Sequence, residues 1–417
     1  MHPAIPIPVA STVIVTPTRP IAPNHIGELH NNTYYSDWKS SLFKNYDKML
    51  TSGTWSAPIL RSSVPPNKAI LRNRVTFKVK DTDQANTYEL YSRTCVDGSP
   101  MKEDIDYTNS YSPVGSIDSI RLLLAIVASR KLKLNVLDIS NAFQTSVVFD
   151  PDDRTYITLP PFYLEWFHHH WPDYPLPSLS PKELVIQCLR IIQGRKDAGN
   201  RWYILLKTRL QDIGMQVSPL DHGVFIWKWK RYHSLSVLET DDLLMASDND
   251  EPFLHLVTEL RKMFDLTSKQ GSVLKFLNLR LIQSPHGISF DQTKHIQSQI
   301  LEPYFVNTPK SSIPRHPYPF PIEASFETQL YEAPPLTGLD LKTMETKLGF
   351  SFNHLVGKLM HISGISRPDI SYACMRFYGY MACPNKPIFE ALHHTLCYLY
   401  HHSHLPIMYP AKPTTPT

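Results

Sequence analysis

Apolar residues recur through most of this chain either at every second position or at every third and fourth position, which is the pattern of strands mixed with helices. The longer spacing predicts amphipathic helices over residues 37–50, 118–129, 198–213, 252–264, 348–365, 369–381 and 388–402. Alternation predicts an antiparallel pair of strands over 75–79 and 87–96, and a second hairpin around 276–277 and 287–290. The pattern therefore predicts a chain of mixed helices and strands.

Prolines divide the chain into regions. Six prolines lie in the first 30 residues and eight lie between Pro303 and Pro335. Because proline removes a backbone donor and resists regular pairing, residues 1–34 are predicted to be a disordered leader and 301–340 a linker. An ordered region is expected over 35–300, a helical region over 341–410, and a disordered tail over 411–417.

Composition indicates an ordinary globular protein. The 417 residues are 42% hydrophobic and 19% charged, and the formal net charge of +4 permits nucleic-acid binding without arguing for it. The five cysteines are odd in number and show no paired C-x-x-C spacing, so we expect reduced intracellular thiols. No apolar run reaches 18 residues and no signal peptide is recognisable, so we expect an intracellular protein without membrane partners, in cytoplasm or nucleus.

The most informative chemistry lies in residues 234–247, SLSVLETDDLLMAS. Two short apolar strands flank Asp241 and Asp242, and Thr240 and Asp241 suit a tight turn between them. About a hundred residues earlier, a third apolar strand ends on Asp138. Three such carboxylates could hold two Mg²⁺ ions for phosphoryl transfer, because hard cations prefer oxygen ligands. The alternative is a solvent-exposed turn with no ligand.

These stretches belong to an ordered series of motifs in which the chain resembles the reverse transcriptase of copia-type LTR retrotransposons. The series comprises YSPV (111–114), LDISNAF (137–143), YITLPPFY (156–163), QGRKDAGNRWY (193–203), LDHGVF (220–225), ETDDLL (239–244) and VGKLMHISGISRPDISYA (356–373). The resemblance covers roughly residues 37 to 405. It implies an α+β right-hand polymerase. Fingers and palm would fall within 35–300, the palm being an antiparallel sheet backed by helices, and 341–410 would form a helical thumb or connection.

The resemblance also implies roles for individual residues. Asp138, Asp241 and Asp242 would be catalytic and would bind two Mg²⁺ ions, with Mn²⁺ as an alternative. Phe143 would exclude a ribose 2′-hydroxyl, Gln193 and Gly194 would contact nucleotide and template, and Arg93 would contact the triphosphate. The implied partners are an RNA or DNA template-primer and deoxynucleoside triphosphates. Ordinary packing or surface roles are the alternative for these four residues.

Three positions depart from the family's pattern. Glu239 stands where the family more often has an aromatic residue, and this carboxyl either adds negative charge near the aspartates or faces solvent. Tyr91 replaces a usual Lys, and Asn278 replaces a usual Gly in the second hairpin.

No RNase H, integrase or aspartic-protease motif is recognisable, so we expect a fragment, a decayed copy or a co-opted remnant of such an element. Activity as an RNA-directed DNA polymerase is one hypothesis. A catalytically silent nucleic-acid-binding or interaction protein is the second, and a metal-dependent nuclease is the third.

Overall fold

The computed structural model describes residues 12–82, 84–140, 143, 153–173 and 180–411. The chain divides into two compact units. The first unit comprises Met1–Val114, Ile139–Gln216 and Thr258–Leu266, and the second comprises Gly115–Asp138, Val217–Val257 and Thr267–Thr417. Both units mix helices with sheets, so the α+β class is confirmed. Within the described residues, every helix is too short or too polar to cross a lipid bilayer.

The strands in chain order are β1 (Val13–Val15), β2 (Trp55–Leu60), β3 (Ile70–Leu71), β4 (Asn73–Asp81), β5 (Thr87–Val96), β6 (Lys133–Ile139), β7 (Thr155–Thr158), β8 (Leu184–Cys188), β9 (Gln216–Val217), β10 (Val224–Trp229), β11 (Tyr232–Glu239), β12 (Asp242–Ser247), β13 (Leu266–Gln270), β14 (Val273–Phe276), β15 (Leu279–Ser284), β16 (Gly287–Asp291) and β17 (Ile407–Pro410). The helices are α1 (Tyr35–Thr51), α2 (Ile117–Arg130), α3 (Tyr163–His170), α4 (Ala198–Asp212), α5 (Asp250–Arg261), α6 (Thr293–Ile296), α7 (Glu302–Tyr304), α8 (Ala324–Glu332), α9 (Gly338–Leu348), α10 (Phe352–Ile365), α11 (Ser371–Gly379) and α12 (Lys386–His402).

The first unit contains two small sheets and a core rich in aromatic side chains. One sheet has the order β1-β5-β4 and the other has the order β2-β8-β7-β3. The predicted pairing of 75–79 with 87–96 is confirmed, since β4 and β5 are antiparallel. Helix α1 lies against β5, where the side chains of Ser41 and Asn45 accept hydrogen bonds from the backbone N–H groups of Ser92 and Thr94. These bonds satisfy buried backbone donors of β5 that, among the described residues, pair with no strand.

Residues 12–34 carry regular structure in place of the disordered leader predicted for 1–34, whose first eleven residues lie outside the described ranges. Val13–Val15 pairs antiparallel with β5, and Leu29 is fully buried in the first unit's core. The prolines at positions 17, 20 and 23 follow this short edge strand rather than interrupt it. Proline content alone could not reveal that a distant strand would pair with this segment.

The second unit is built on a six-stranded sheet of order β13-β6-β12-β11-β10-β9. The pairs β6–β12, β12–β11 and β11–β10 are antiparallel. Helix α2 packs on the sheet through Leu123, Leu124 and Val127, which are almost completely buried. The helix begins after Ser116, whose side chain accepts a bond of 3.1 Å from the Ser119 N–H. Such a cap satisfies one of the first turn's free backbone donors.

A four-stranded sheet, β14-β15-β16-β17, and a helical core complete the second unit. The predicted hairpin near 276–290 is present, but β14, β15 and β16 form two consecutive hairpins there. The segment 301–340, predicted as a linker, places Phe305, Ile313, Phe320 and Leu330 in the same core as α10, α11 and α12. Apolar side chains between the prolines supply this burial.

Candidate active site

Two strands and a two-residue turn hold the paired aspartates. Strands β11 and β12 pair up to Glu239 opposite Asp242, so Thr240 and Asp241 form the turn, as the sequence predicted. The backbone of Thr240 has a φ of 53°, in the left-handed region. A non-glycine residue pays a conformational cost there, and turns are where folded proteins tolerate it.

The neighbouring strand brings the third carboxylate to the same place. Strand β6 pairs antiparallel with β12 so that Asp138 lies directly opposite Asp242. Residues directly opposite in adjacent strands project from the same face of a sheet. Asp138, Asp242 and Glu239 therefore form a row across three strands on one face, while Asp241 lies in the turn.

The row of carboxyl groups is electrostatically unfavourable without a cation. Burial and then the adjacent negative charge of Asp138 raise the pKa of Asp242 to about 6. Burial, followed by Asp221 and Asp242, raises the pKa of Glu239 to about 7. The sequence left open whether Glu239 faces solvent or adds charge near the aspartates. The register shows the second arrangement, with a partly buried Glu239 opposite Asp242.

Side chains from later strands complete the surroundings of the aspartates. A cavity of about 300 Å³ is lined by Asp138 and Asp242 together with Lys269 and Lys275, whose positive charges lower the pKa of Asp242. The Thr267 hydroxyl, also in this cavity, donates to Asp138 Oδ2 at 3.4 Å. Sequence reasoning missed these three residues, because they lie on β13 and β14 and no local spacing links them to the aspartates.

The β14–β15 turn also borders this cavity. Asn278, one of the three departures from the family's pattern, lies in this turn, and the left-handed φ of 54° falls on the preceding Leu277. Leu277 lines the cavity beside the aspartates and is 40% exposed. An exposed leucine held in this backbone region is uncommon.

The donor set suits a divalent cation only in part. Asp138 and Asp242 offer adjacent carboxylate oxygens whose mutual repulsion a cation would relieve, which fits the oxygen ligands of Mg²⁺. In the described ranges, however, no three His, Cys, Asp or Glu side chains are grouped as a metal ion requires. Asp138 and Asp242 thus form a two-carboxylate pair, which Asp241 would have to join from the turn.

Arg93 and Tyr91 lie on β5 in the first unit. The Arg93 guanidinium donates to the Tyr91 hydroxyl at 3.1 Å, and the Lys80 ammonium lies 3.7 Å from the centre of the Tyr91 ring. Burial and then neighbouring charges, including those of Arg93 and Lys80, shift the pKa of Lys48 downward overall. Two cations, Lys80 and Arg93, therefore lie against the Tyr91 ring.

Gln193 and Gly194 pack against the end of the same strand. The Val96 N–H donates to the Gln193 carbonyl at 2.8 Å. Gly194 has a φ of 97°, and a Cβ added there would come within 1.9 Å of the Val96 carbonyl oxygen. Only glycine fits this close approach of two backbone segments. The tight contact accounts for Gly194 without any ligand.

The neighbouring Asp197 occupies the N-cap position of α4, but its side chain makes no capping hydrogen bond. Its carboxylate is held by Arg195 and Arg201 instead. Burial alone would raise the pKa of Asp197, but these two arginines lower it overall. The residue therefore belongs to a buried ion-pair network at the start of α4.

Phe143 lies in the first unit, partly buried. Its side chain packs against Ile191 and Ala198, and its ring centre is 6.5 Å from that of Trp202. The flanking residues 141–142 and 144–152 lie outside the described ranges. The structure thus places Phe143, Arg93, Gln193 and Gly194 in the first unit, and Asp138, Asp241 and Asp242 in the second.

Comparison with known proteins identifies the class. A family model described as "Reverse transcriptase (RNA-dependent DNA polymerase)" matches residues 60–316, well over half of the chain. The chain therefore belongs to the reverse transcriptase (RNA-dependent DNA polymerase) family. The resemblance to copia-type elements is also confirmed.

Curated relatives are polyproteins of plant transposons. The chain is 24% identical over 362 residues to the Retrovirus-related Pol polyprotein from transposon RE2 of Arabidopsis thaliana, covering 87% of this chain and 22% of the relative. It is 23% identical over 364 residues to that from transposon TNT 1-94 of Nicotiana tabacum, covering 87% and 25%. The chain thus spans about a quarter or less of these relatives. A solved foamy viral protease-reverse transcriptase in complex with RNA/DNA hybrid matches with a TM-score of 0.42 at 11% identity, covering 95% of this chain and 39% of that one.

Proposed function

We propose that this chain extends a primer on an RNA template by metal-dependent nucleotidyl transfer, as the polymerase part of a copia-type pol polyprotein. The observation that carries the proposal is the register of β6 and β12, which sets Asp138 opposite Asp242 beside a cavity that also holds two lysines. The membership of this chain in the reverse transcriptase family supports the proposed polymerase activity.

In this proposal Asp138 and Asp242 hold Mg²⁺, and Asp241 contributes from the turn. When bound, the ions would lower the pKa of an attacking 3′-hydroxyl and neutralise charge on the transferred phosphoryl group. The carboxylates fix the position of that chemistry at one end of the sheet. Lys269 and Lys275 keep positive charge beside Asp242 and so favour its ionised form, which a metal ligand must adopt.

The remaining proposed roles in nucleotide and template binding belong to residues of the first unit. Arg93 would contact the triphosphate of a deoxynucleoside triphosphate, because a guanidinium binds phosphate oxygens in a planar, two-pronged way. Gln193 and Gly194 would contact the nucleotide and template, and Phe143 would exclude a 2′-hydroxyl. The template-primer is an RNA or DNA strand pair.

A second candidate is a catalytically silent nucleic-acid-binding remnant. Glu239 favours it, because a third carboxyl group opposite Asp242 adds negative charge that the reaction has to overcome. In the described ranges no three acidic or other ligand side chains are grouped for a metal. Like charges placed directly opposite in a sheet also destabilise the strands that carry them.

Primer extension on an RNA template with Mg²⁺ and deoxynucleotides tests the proposal. We expect wild type to extend the primer and Asp242→Asn to lose about 100-fold or more in rate, since the loss of even an outer partner of a metal site costs 10–100-fold. Asp241→Asn reports separately on the turn residue. Asp340→Asn, an exposed aspartate in α9, is the matched control and should extend like wild type.

Binding of the template-primer, measured without Mg²⁺, separates the candidates. Retained binding without extension in wild type supports the silent remnant, and Glu239→Tyr then tests whether the extra carboxyl is responsible. Cleavage of the nucleic acid without added nucleotide would support a nuclease. Equal extension by wild type and Asp242→Asn would refute the proposed site.

A further inference from the structure

A proline-rich segment lies along α12 in the second unit. We call residues 313–320 the strap. Ile313 at one end and Phe320 at the other are buried in the helical core, at 5% and 2% exposure. The prolines at positions 314, 317 and 319 have no N–H to donate. The backbone bonds described below between the strap and α12 use carbonyl groups of the strap as acceptors.

Three side chains of α12 supply the donors. The Thr395 hydroxyl donates to the Pro319 carbonyl at 2.6 Å. His394 Nε2 lies 2.9 Å from the Tyr318 carbonyl oxygen, and His401 Nε2 lies 3.1 Å from that of Ile313. Because a carbonyl can only accept, both imidazoles carry a proton on Nε2 in this arrangement. Two of the three bonds that hold the strap thus come from histidines.

A histidine of the strap itself stacks on one of these donors. The rings of His316 and His394 lie face to face, with centres 3.6 Å apart and an angle of 18° between the planes. Two neutral imidazoles can stack in this way, but two imidazolium ions at this distance repel strongly. Burial and then the proximity of the partner ring shift the pKa of His316 downward, and burial also leads the downward shift for His394.

The charged groups around His316 and His394 disfavour protonation of both rings at once. Glu323 faces both rings and favours their charged forms. His401 faces His316, and His393 faces His394; each disfavours a charge on the ring that it faces. Lys347 and His316 in turn face His393, whose pKa is lowered chiefly by burial. Among the described residues that face the two rings, one carboxylate is thus set against several basic groups.

We propose that the stacked pair His316–His394 is an acid-operated latch, which keeps the strap on α12 near neutral pH and releases it when both rings take up protons. The latch is independent of nucleotidyl transfer, because every group in it belongs to the strap, to α12 or to the adjacent Glu323. Release uncovers the face of α12 that the strap occupies.

The direction of the effect follows from proton linkage. A histidine held neutral in the closed strap binds a proton more readily once the strap opens, where its pKa returns to about 6.5. Above that pH both states are neutral and the latch contributes fully. Below it, the opening equilibrium constant rises about tenfold per pH unit for each histidine that the closed strap keeps neutral. Because the carboxylate of Glu323 can offset the charge of one protonated ring in the closed strap, we expect only one histidine to be kept neutral there.

Trypsin cleavage after Arg315 measures the opening in the full chain. Cleavage of a folded segment tracks its open population when closing is fast. The rate, followed by mass spectrometry of that one bond, is divided by the rate for a peptide of residues 308–322 at the same pH, which removes the pH dependence of trypsin. We expect this ratio to rise about tenfold between pH 7.5 and 5.5 in wild type.

Two variants test the mechanism. His316→Phe keeps a stacked ring but cannot take up a proton, so its ratio should change by less than about twofold over this range. Glu323→Gln, at an exposed position, removes a carboxylate that favours a charged ring, so the closed strap should keep both histidines neutral and the ratio should rise more steeply, by up to about 100-fold over this range. His354→Phe, an exposed histidine of α10, is the matched control and should behave like wild type. A flat wild-type ratio, or an unchanged rise in His316→Phe, would overturn the proposal.

Discussion

Replacing Glu239 by Gln removes a carboxyl group that the sheet register sets opposite Asp242. Burial and the charges of Asp221 and Asp242 raise the pKa of Glu239 from its ordinary value of 4.5 to about 7. That rise corresponds to at most roughly 3 kcal/mol of destabilisation when the group is ionised. Because Glu239 is only partly buried, solvent reduces this figure, and we expect Glu239→Gln to stabilise the protein by about 1–2 kcal/mol at pH 8.

The gain should depend on pH with a definite sign. Below about pH 4.5 the carboxyl is protonated in both the folded and the unfolded protein, and the substitution is nearly neutral. As the pH rises from 4.5 to 7, the unfolded protein ionises first, so wild type loses stability relative to the variant. At pH 5 the gain should be about half of that at pH 8.

Urea unfolding followed by far-UV circular dichroism at pH 5 and pH 8 measures this difference. EDTA keeps divalent cations from the aspartates, so that the comparison concerns the protein's own charges. The matched control is Glu332→Gln, which removes the same charge from an exposed position and should change stability by less than about 0.5 kcal/mol at either pH. Equal stabilisation at both pH values, or no more than the control shows, would refute the reasoning.

Two further comparisons test buried interactions by the same urea assay. Asp197→Asn leaves the buried Arg195 guanidinium without its carboxylate and should lower the free energy of unfolding by about 3–5 kcal/mol. Asp212→Asn breaks only an exposed pair and should lower it by less than about 1 kcal/mol, so similar losses in the two variants would contradict a buried network. Gly194→Ala forces a Cβ against backbone at a φ of 97° and should cost at least about 1–3 kcal/mol. Gly357→Ala, in open space within α10, should instead stabilise by about 0.5–1 kcal/mol, and the same sign at both glycines would contradict the steric account.

Features that depend on neighbouring residues could be read from the chain. Spacing of apolar side chains predicted α1 and α2 to within a few residues, because a helix face repeats over three to four positions. The turn at Thr240 and Asp241 was predictable from short polar residues between two apolar runs. The family was also recognisable from motifs in order, and the comparisons confirm it.

Features that depend on partners distant in the sequence could not be read from the chain. Proline content predicted a leader and a linker, yet Val13–Val15 pairs with β5, and Ile313 and Phe320 pack into the helical core. Burial of these segments depends in part on partners more than 50 residues away in the sequence, β5 for Val13 and α12 for Ile313. The stacking of His316 on His394 has the same origin, since nothing near either residue in the sequence indicates the other.

The arrangement of the carboxylates shows most clearly what the sequence determines and what only the folded sheet determines. Their residue types and the strand ends that carry them could be assigned from the sequence, so Asp138, Asp241 and Asp242 were candidates from the start. Which of them lie side by side depends on hydrogen bonds between strands about a hundred residues apart. A shift of one residue in that pairing would turn every side chain of a strand to the opposite face. The folded sheet sets Asp138, Asp242 and Glu239 in one row, because register is a property of paired strands and no single strand carries it.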